Sequence, residues 1–204
     1  MTKIKLCGLK RPCDIDFANE LLPDYIGFVF VKGRKRYISE EDALTLSRQL
    51  DRRITPVGVF IDESIENICN ICNKGIIRAV QLHGKEDEEY IKTLKNKCGC
   101  EIIKAFQIKS ADDIFTSEKS VADTVLLDSG TGSGLTFDHS LLVGMKRNFF
   151  LAGGLSIENV PDIIKTIHPY GVDVSSAIET DGYKDKEKMT AFVDAVRKAD
   201  RNDK

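Results

Sequence analysis

Short runs of apolar, β-branched and aromatic residues alternate along the chain with longer stretches in which apolar side chains recur every three to four positions. The runs Ile4–Leu6, Tyr25–Val31, Pro56–Ile61, Ala79–Leu82, Ile102–Ile108, Thr124–Leu127, Phe149–Ala152 and Gly171–Val174 read as strands buried on both faces. The periodic or capped stretches Asp14–Leu22, Ser39–Leu50, Ser64–Asn73, Asp87–Lys97, Ala111–Ser117, Phe137–Gly144, Ile157–Ile167 and Asp185–Lys198 read as helices. Strand starts recur every about 21–31 residues, close to the ~30-residue βαβ unit, which implies parallel strands joined by helical crossovers. Eight such units predict an α/β fold, a single (β/α)8 TIM barrel spanning residues 1–204; an open doubly wound sheet is the alternative, and strand count separates the two. Ala111–Ser120 has little apolar face, so the fifth helix is expected to be short or irregular.

Length sharpens this picture, because a barrel takes ≈ 250 residues and rarely fewer than about 200. At 204 residues the chain has room for a minimal barrel with one generous insertion, Ser129–Thr136, expected to lie over the active site. Thirty Lys+Arg against 32 Asp+Glu leave a formal charge of −2, which excludes the large single-sign field of a nucleic-acid coat. No apolar run approaches the ~20 residues of a membrane span, and Met1-Thr2-Lys3-Ile4-Lys5 lacks a signal-peptide core. A cytoplasmic protein is therefore expected, with no nucleic-acid or membrane partner, and a monomer rather than a homodimer.

Six cysteines are expected to be reduced thiols in that setting. Cys69-Asn70-Ile71-Cys72 and Cys98-Gly99-Cys100 have the look of two halves of a zinc site. The first pair, however, shares an apolar helix face with Ile65 and Ile68, so packing is the preferred reading and no metal is expected.

Barrel chemistry lies at the C-terminal ends of the strands. Ala152-Gly153-Gly154-Leu155-Ser156 runs from strand 7 toward a helix expected to begin near Ser156, where glycines admit an anion to the backbone and N–H groups attract it. Ser175-Ser176 closes the neighbouring strand 8 and adds hydroxyls and amides, so the pair of loops predicts a phosphate site. Gly130-Thr131-Gly132-Ser133-Gly134 has nucleotide-loop glycines but Leu135-Thr136 where a P-loop needs Lys-Ser/Thr; Gly132, Ser133 and Gly134 read instead as a lid supplying amides to the same phosphate.

Cys7 and Asp128 end strands 1 and 6, which places a thiol and a carboxyl at separate sides of the mouth. They could hold one substrate between a proton acceptor and a proton donor, each worth ~10²–10⁴ in rate. Gln81 and His83 close strand 4 and Asp173 lies on strand 8, which makes them candidate substrate contacts, while Arg36 ends a basic loop where a guanidinium could clamp a carboxylate. His139 and His168 fall in or beside helices and are not expected to be catalytic.

Taken in order, Lys5-Leu6-Cys7-Gly8, Gly27-Phe28-Val29-Phe30, Lys35-Arg36-Tyr37-Ile38, Val57-Gly58-Val59-Phe60, Ala79-Val80-Gln81-Leu82-His83-Gly84, Leu126-Leu127-Asp128, Gly132-Ser133-Gly134, Ala152-Gly153-Gly154-Leu155 and Val172-Asp173-Val174-Ser175-Ser176 resemble the phosphoribosylanthranilate isomerase family of tryptophan biosynthesis over essentially the whole chain. The resemblance implies the Amadori rearrangement of N-(5-phosphoribosyl)anthranilate, a phosphosugar, with no cofactor. It implies that Asp128 is the general acid that opens the ring and Cys7 the general base that takes the C2′ proton. It further implies that Arg36 holds the anthranilate carboxylate, and that Gly154, Ser175, Ser176 and Gly132–Gly134 hold the phosphate. A free thiol is only a few per cent ionised at pH 7, so surroundings that lower the Cys7 pKa are expected. Ala177 departs from the family, where Gly is more usual, and a small perturbation of the phosphate loop is expected there. A bifunctional isomerase that also takes the histidine-pathway aminoimidazole ribonucleotide, and indole-glycerol-phosphate synthase, are rival enzymes. A noncatalytic phosphosugar-binding module is the rival of another class, and it would not need both Cys7 and Asp128.

Overall fold

The structure, a computed structural model, describes Met1–Gly130, Leu142 and Met145–Asn202. The Gly132–Gly134 loop and, Leu142 apart, the helix expected over Phe137–Gly144 lie outside the described residues.

Eight parallel strands close into a barrel in simple order: β1 (Lys3–Cys7), β2 (Tyr25–Val29), β3 (Thr55–Phe60), β4 (Ala79–Leu82), β5 (Glu101–Gln107), β6 (Thr124–Asp128), β7 (Phe149–Ala152) and β8 (Gly171–Val174), with β8 pairing back onto β1. The helices α1 (Pro12–Leu21), α2 (Glu40–Ser47), α3 (Ile65–Asn73), α4 (Glu88–Lys97), α5 (Ala111–Lys119), α6 (Val160–Ile167) and α7 (Lys186–Asn202) alternate with them. Continuous apolar strands follow from this layering, since each is covered inside by the opposite wall and outside by helices. Two cores result. One lies inside the barrel, where Val57, Ile103, Leu126 and Phe150 interdigitate, and the larger one fills the shell between strands and helices. Phe150 meets Tyr25 and Tyr170 edge-on at 5.3 and 5.6 Å, the arrangement that aromatic quadrupoles favour. No described helix is long and apolar enough to cross a membrane.

Helix starts follow their caps. Ser39, Ser64 and Asp87 each accept the backbone N–H three residues on, which satisfies a donor the helix leaves unpaired. The fifth helix is short, at nine residues, yet regular, because Ser110 and Asp113 form a reciprocal cap that offsets its sparse apolar face. The helix expected from Ile157 begins later, at Val160. The Asn159 side chain donates to Gly154 C=O and accepts from Ser156 N–H, while Ser156 Oγ accepts the Asn159 N–H, so residues 154–159 form a turn ahead of the helix proper.

Beyond β8, a 3-10 turn (Ser176–Ile178) leads into a two-stranded hairpin, β9 (Glu179–Thr180) and β10 (Tyr183–Lys184). Asp181 and Gly182 both have positive φ, as a tight type I′ connection requires. α7 then fastens the start of β1: Asp200 accepts the Thr2 N–H at 2.9 Å and Arg197 donates to Thr2 C=O at 2.9 Å.

Candidate active site

The strand ends surround a cavity of about 530 Å³, a size that suits a small molecule. Cys7, Arg36, Gln81, His83, Asp128, Gly153, Gly154, Asp173, Ser175 and Ser176 all line it, so every predicted site residue that is described faces one space. Gly132, Ser133 and Gly134 lie outside the described residues.

Cys7 ends β1 beside Gly8, whose φ of +84° turns the chain out of the barrel. Any side chain at position 8 would meet Arg36, as an added Cβ would stand 2.4 Å from its Cδ. Gly27 on β2 packs against the Cys7 sulfur in the same way. Two residues back on the same strand, and so on the same face, fully buried Lys5 donates to Asp173 at 2.9 Å. Burial pushes the Cys7 thiol above its ordinary pKa; Lys5 pulls against that shift, and the Asp173 carboxylate restores part of it. The expected lowering is therefore reversed, because the ammonium beside the thiol is already matched by a carboxylate in a dry environment. Asp173, expected to touch substrate, is raised by its own burial, with Lys5 opposing.

Asp128 is held in the opposite sense. His83 Nε2 stands 3.6 Å from its Oδ2, and the Gly130 N–H donates to Oδ1 at 2.9 Å. His83 drives its pKa below the usual carboxylate value against partial burial, and the Gly130 amide adds to the effect. Gln81 Nε2 lies 3.1 Å from His83 Nδ1, a contact that steadies the imidazole with its Nε2 toward Asp128. Gln81 Oε1 is buried with no partner among the described residues, an acceptor ready for a ligand donor.

The phosphate-type loops divide their roles differently from the sequence expectation. Gly153 (φ +85°) makes room for the acid: a Cβ there would stand 2.6 Å from Asp128 Oδ1 and 2.5 Å from Ser129 Oγ. Gly154 (φ +63°) faces open space and is the one suited to an anion. The Ser175 hydroxyl donates to Cys7 C=O at 2.9 Å, which commits it to bracing β1 rather than a ligand, whereas Ser176 is exposed. Ala177 has an ordinary φ within the 3-10 turn, so its methyl costs the loop no left-handed strain.

Arg36 lines the cavity with one edge of its fork already taken. Its Nε and Nη2 donate to the two Glu179 oxygens at 2.6 and 2.9 Å, leaving Nη1 for a ligand carboxylate. Glu179 also accepts from buried Lys184, whose Nζ reaches Ser175 C=O at 2.8 Å. Sequence reasoning missed Lys5, Glu179 and Lys184. The i, i+2 spacing of Lys5 and Cys7 on one strand, and the Thr180-Asp181-Gly182-Tyr183 hairpin signature, are signals that could have found them.

A family model described as N-(5'phosphoribosyl)anthranilate (PRA) isomerase matches residues 4–195. The N-(5'-phosphoribosyl)anthranilate isomerase of Thermoanaerobacter pseudethanolicus is 44% identical over 204 residues, covering 97% of this chain and 98% of that one. Among solved structures, a phosphoribosyl anthranilate isomerase in complex with reduced 1-(o-carboxyphenylamino)-1-deoxyribulose 5-phosphate superposes with TM-score 0.86 at 34% identity, covering 97% and 100% of the two chains. Generated monomers of the dimeric phosphoribosylanthranilate isomerase of Thermotoga maritima superpose at 0.87, also at 34% identity and over 97% and 100%. A closed eight-stranded barrel, a thiol and a carboxyl across one mouth and these near-complete matches agree: the chain belongs to the N-(5'-phosphoribosyl)anthranilate isomerase family.

Proposed function

We propose that Cys7 and Asp128 divide the proton transfers of the Amadori rearrangement by which this family converts N-(5-phosphoribosyl)anthranilate to 1-(o-carboxyphenylamino)-1-deoxyribulose 5-phosphate in tryptophan biosynthesis. The chain is an isomerase of this family. Asp128 protonates the furanose ring oxygen, and the ring opens to a Schiff base. Cys7 then removes the C2′ proton, and the enolamine formed tautomerises to the ketone. The observation that carries this reading is that a buried thiol and a half-buried carboxyl from separate strands face one cavity of about 530 Å³. His83 positions Asp128; Arg36 Nη1 holds the anthranilate carboxylate, with Glu179 fixing the plane of the guanidinium. Gly154 and Ser176 hold the phosphate, together with Gly153 and Ser175 as backbone neighbours. The orphaned Gln81 oxygen accepts from the substrate, and Asp173 shapes the floor through Lys5.

In this reading the chain works as a cytoplasmic monomer. The large exposed apolar side chains among the described residues are Met1, Phe115 and Tyr183, and two of them are covered by cations: Lys119 lies over Phe115, and Arg11 and Lys10 over Tyr183. Light scattering behind a sizing column should give one chain per particle. The activity itself is tested on freshly generated phosphoribosylanthranilate, with the histidine-pathway aminoimidazole ribonucleotide in parallel. Turnover of the first alone is expected; turnover of neither would leave a binding module.

A further inference from the structure

At the face of the barrel opposite Cys7 and Asp128, three thiols come together where α3 and α4 end and β5 begins. Cys72 lies in the last turn of α3, Cys98 caps α4 and Cys100 immediately precedes β5. Their sulfurs all lie within 4.8 Å of one another, and Cys98 Sγ is 3.1 Å from Cys72 Sγ. Cys98 is buried and the other two are half-buried, so the cluster is sheltered yet reachable from solvent.

A cation bound by three sulfurs at ≈ 2.3 Å sets them roughly 3.8–4.0 Å apart, in tetrahedral or trigonal geometry. The cluster brackets that spacing. Gly99, between two of the thiols, has open space around it, which lets Cys98 and Cys100 adjust without a clash. Cys69, the partner that sequence spacing suggested for Cys72, is not part of the cluster.

We infer that Cys72, Cys98 and Cys100 form a three-thiolate site for a thiophilic cation of the Zn²⁺ or Cu(I) class, with a water completing tetrahedral Zn²⁺. Binding releases the thiol protons to solvent and changes no oxidation state. The ion ties the end of α3 to the α4–β5 junction, far from the isomerase pocket and independent of its assignment.

The test uses the full chain, reduced and stripped with a chelator. Titration with Cd²⁺ should give a thiolate-to-metal ultraviolet band saturating at one equivalent. Zn²⁺ should displace Cd²⁺, and a parallel Cu(I) titration against a competing chelator ranks the two metals. Cys72→Ser, Cys98→Ser and Cys100→Ser should each weaken Cd²⁺ binding at least ~100-fold, more than the loss of an outer-shell partner does, with isomerase activity retained; Cys69→Ser should leave binding intact. In the unmutated chain, Zn²⁺ should protect these three thiols from iodoacetamide while Cys13 and Cys69 still react. Absence of one-equivalent binding, binding that survives all three substitutions, alkylation of all three thiols in the presence of Zn²⁺, or a disulfide between two of them that forms in place of metal binding would each overturn the inference.

Discussion

The two sides of the barrel mouth treat their ionisable groups in opposite ways. At the β1 side Cys7 is buried over a matched Lys5–Asp173 pair, and dehydration pushes its proton on more firmly. At the β6 side Asp128 is partly open to solvent, faced by His83 and by the Gly130 amide, and its proton is held off. One proton shared between them therefore sits mostly on Cys7, whereas the proposed first step draws it from Asp128. The lesson is that the pocket rests in the protonation state complementary to the one that reacts. The reactive form is a minor partner at equal proton count, so its share of the singly protonated enzyme does not change with pH.

Substitutions can break this contrast from either side. The largest expected effect is on stability: Lys5→Met leaves the Asp173 carboxylate buried without its partner and should cost about 3–5 kcal/mol, read from denaturant midpoints. Because Lys5 lowers the Cys7 pKa, the same change should move the alkaline limb of kcat/KM further up. Next, Cys7→Ala and Asp128→Asn should each lower kcat by ~10²-fold or more while the binding of a phosphate-bearing product analogue survives. Ordinary turnover in either variant would remove that residue from the chemistry. A smaller effect separates the adjacent glycines. Gly153→Ala forces a methyl against Asp128 and should lower kcat by roughly 10-fold, since sub-ångström misplacement of a reacting group is costly. Gly154→Ala meets open space, so its left-handed strain and its place in the phosphate loop should raise KM with kcat little changed.

Much of this is legible in the amino-acid sequence. Short continuous apolar runs located the strands and 3.6-residue periodicity most helices, and the rule that barrel chemistry sits at strand ends singled out Cys7 and Asp128. The late start of α6 was hidden because Ser156 does accept the N–H three residues on, and only the Asn159 bonds back to Gly154 and Ser156 set residues 157–159 as a turn ahead of the helix. Glu179 and Lys184 were missed because their hairpin is too short to show a hydrophobic period, although Asp181-Gly182 marks its turn. The direction of the Cys7 shift was misjudged for a different reason. The lowering was expected from what a thiolate base needs, and local sequence shows neither the burial of Cys7 and Lys5 nor the Asp173 carboxylate, 168 positions from Lys5, that pairs with that cation.

The most direct test is the pH profile of kcat/KM for the unmodified chain on phosphoribosylanthranilate. A proton shared between a depressed carboxyl and a raised thiol predicts a level profile across neutral pH. It should fall on the acid side only below the ordinary carboxylate range of about 4, and on the alkaline side only above the ordinary thiol value of about 8.5. A profile that instead climbs through neutral pH, as ionisation of a lone activated thiol would give, contradicts the account.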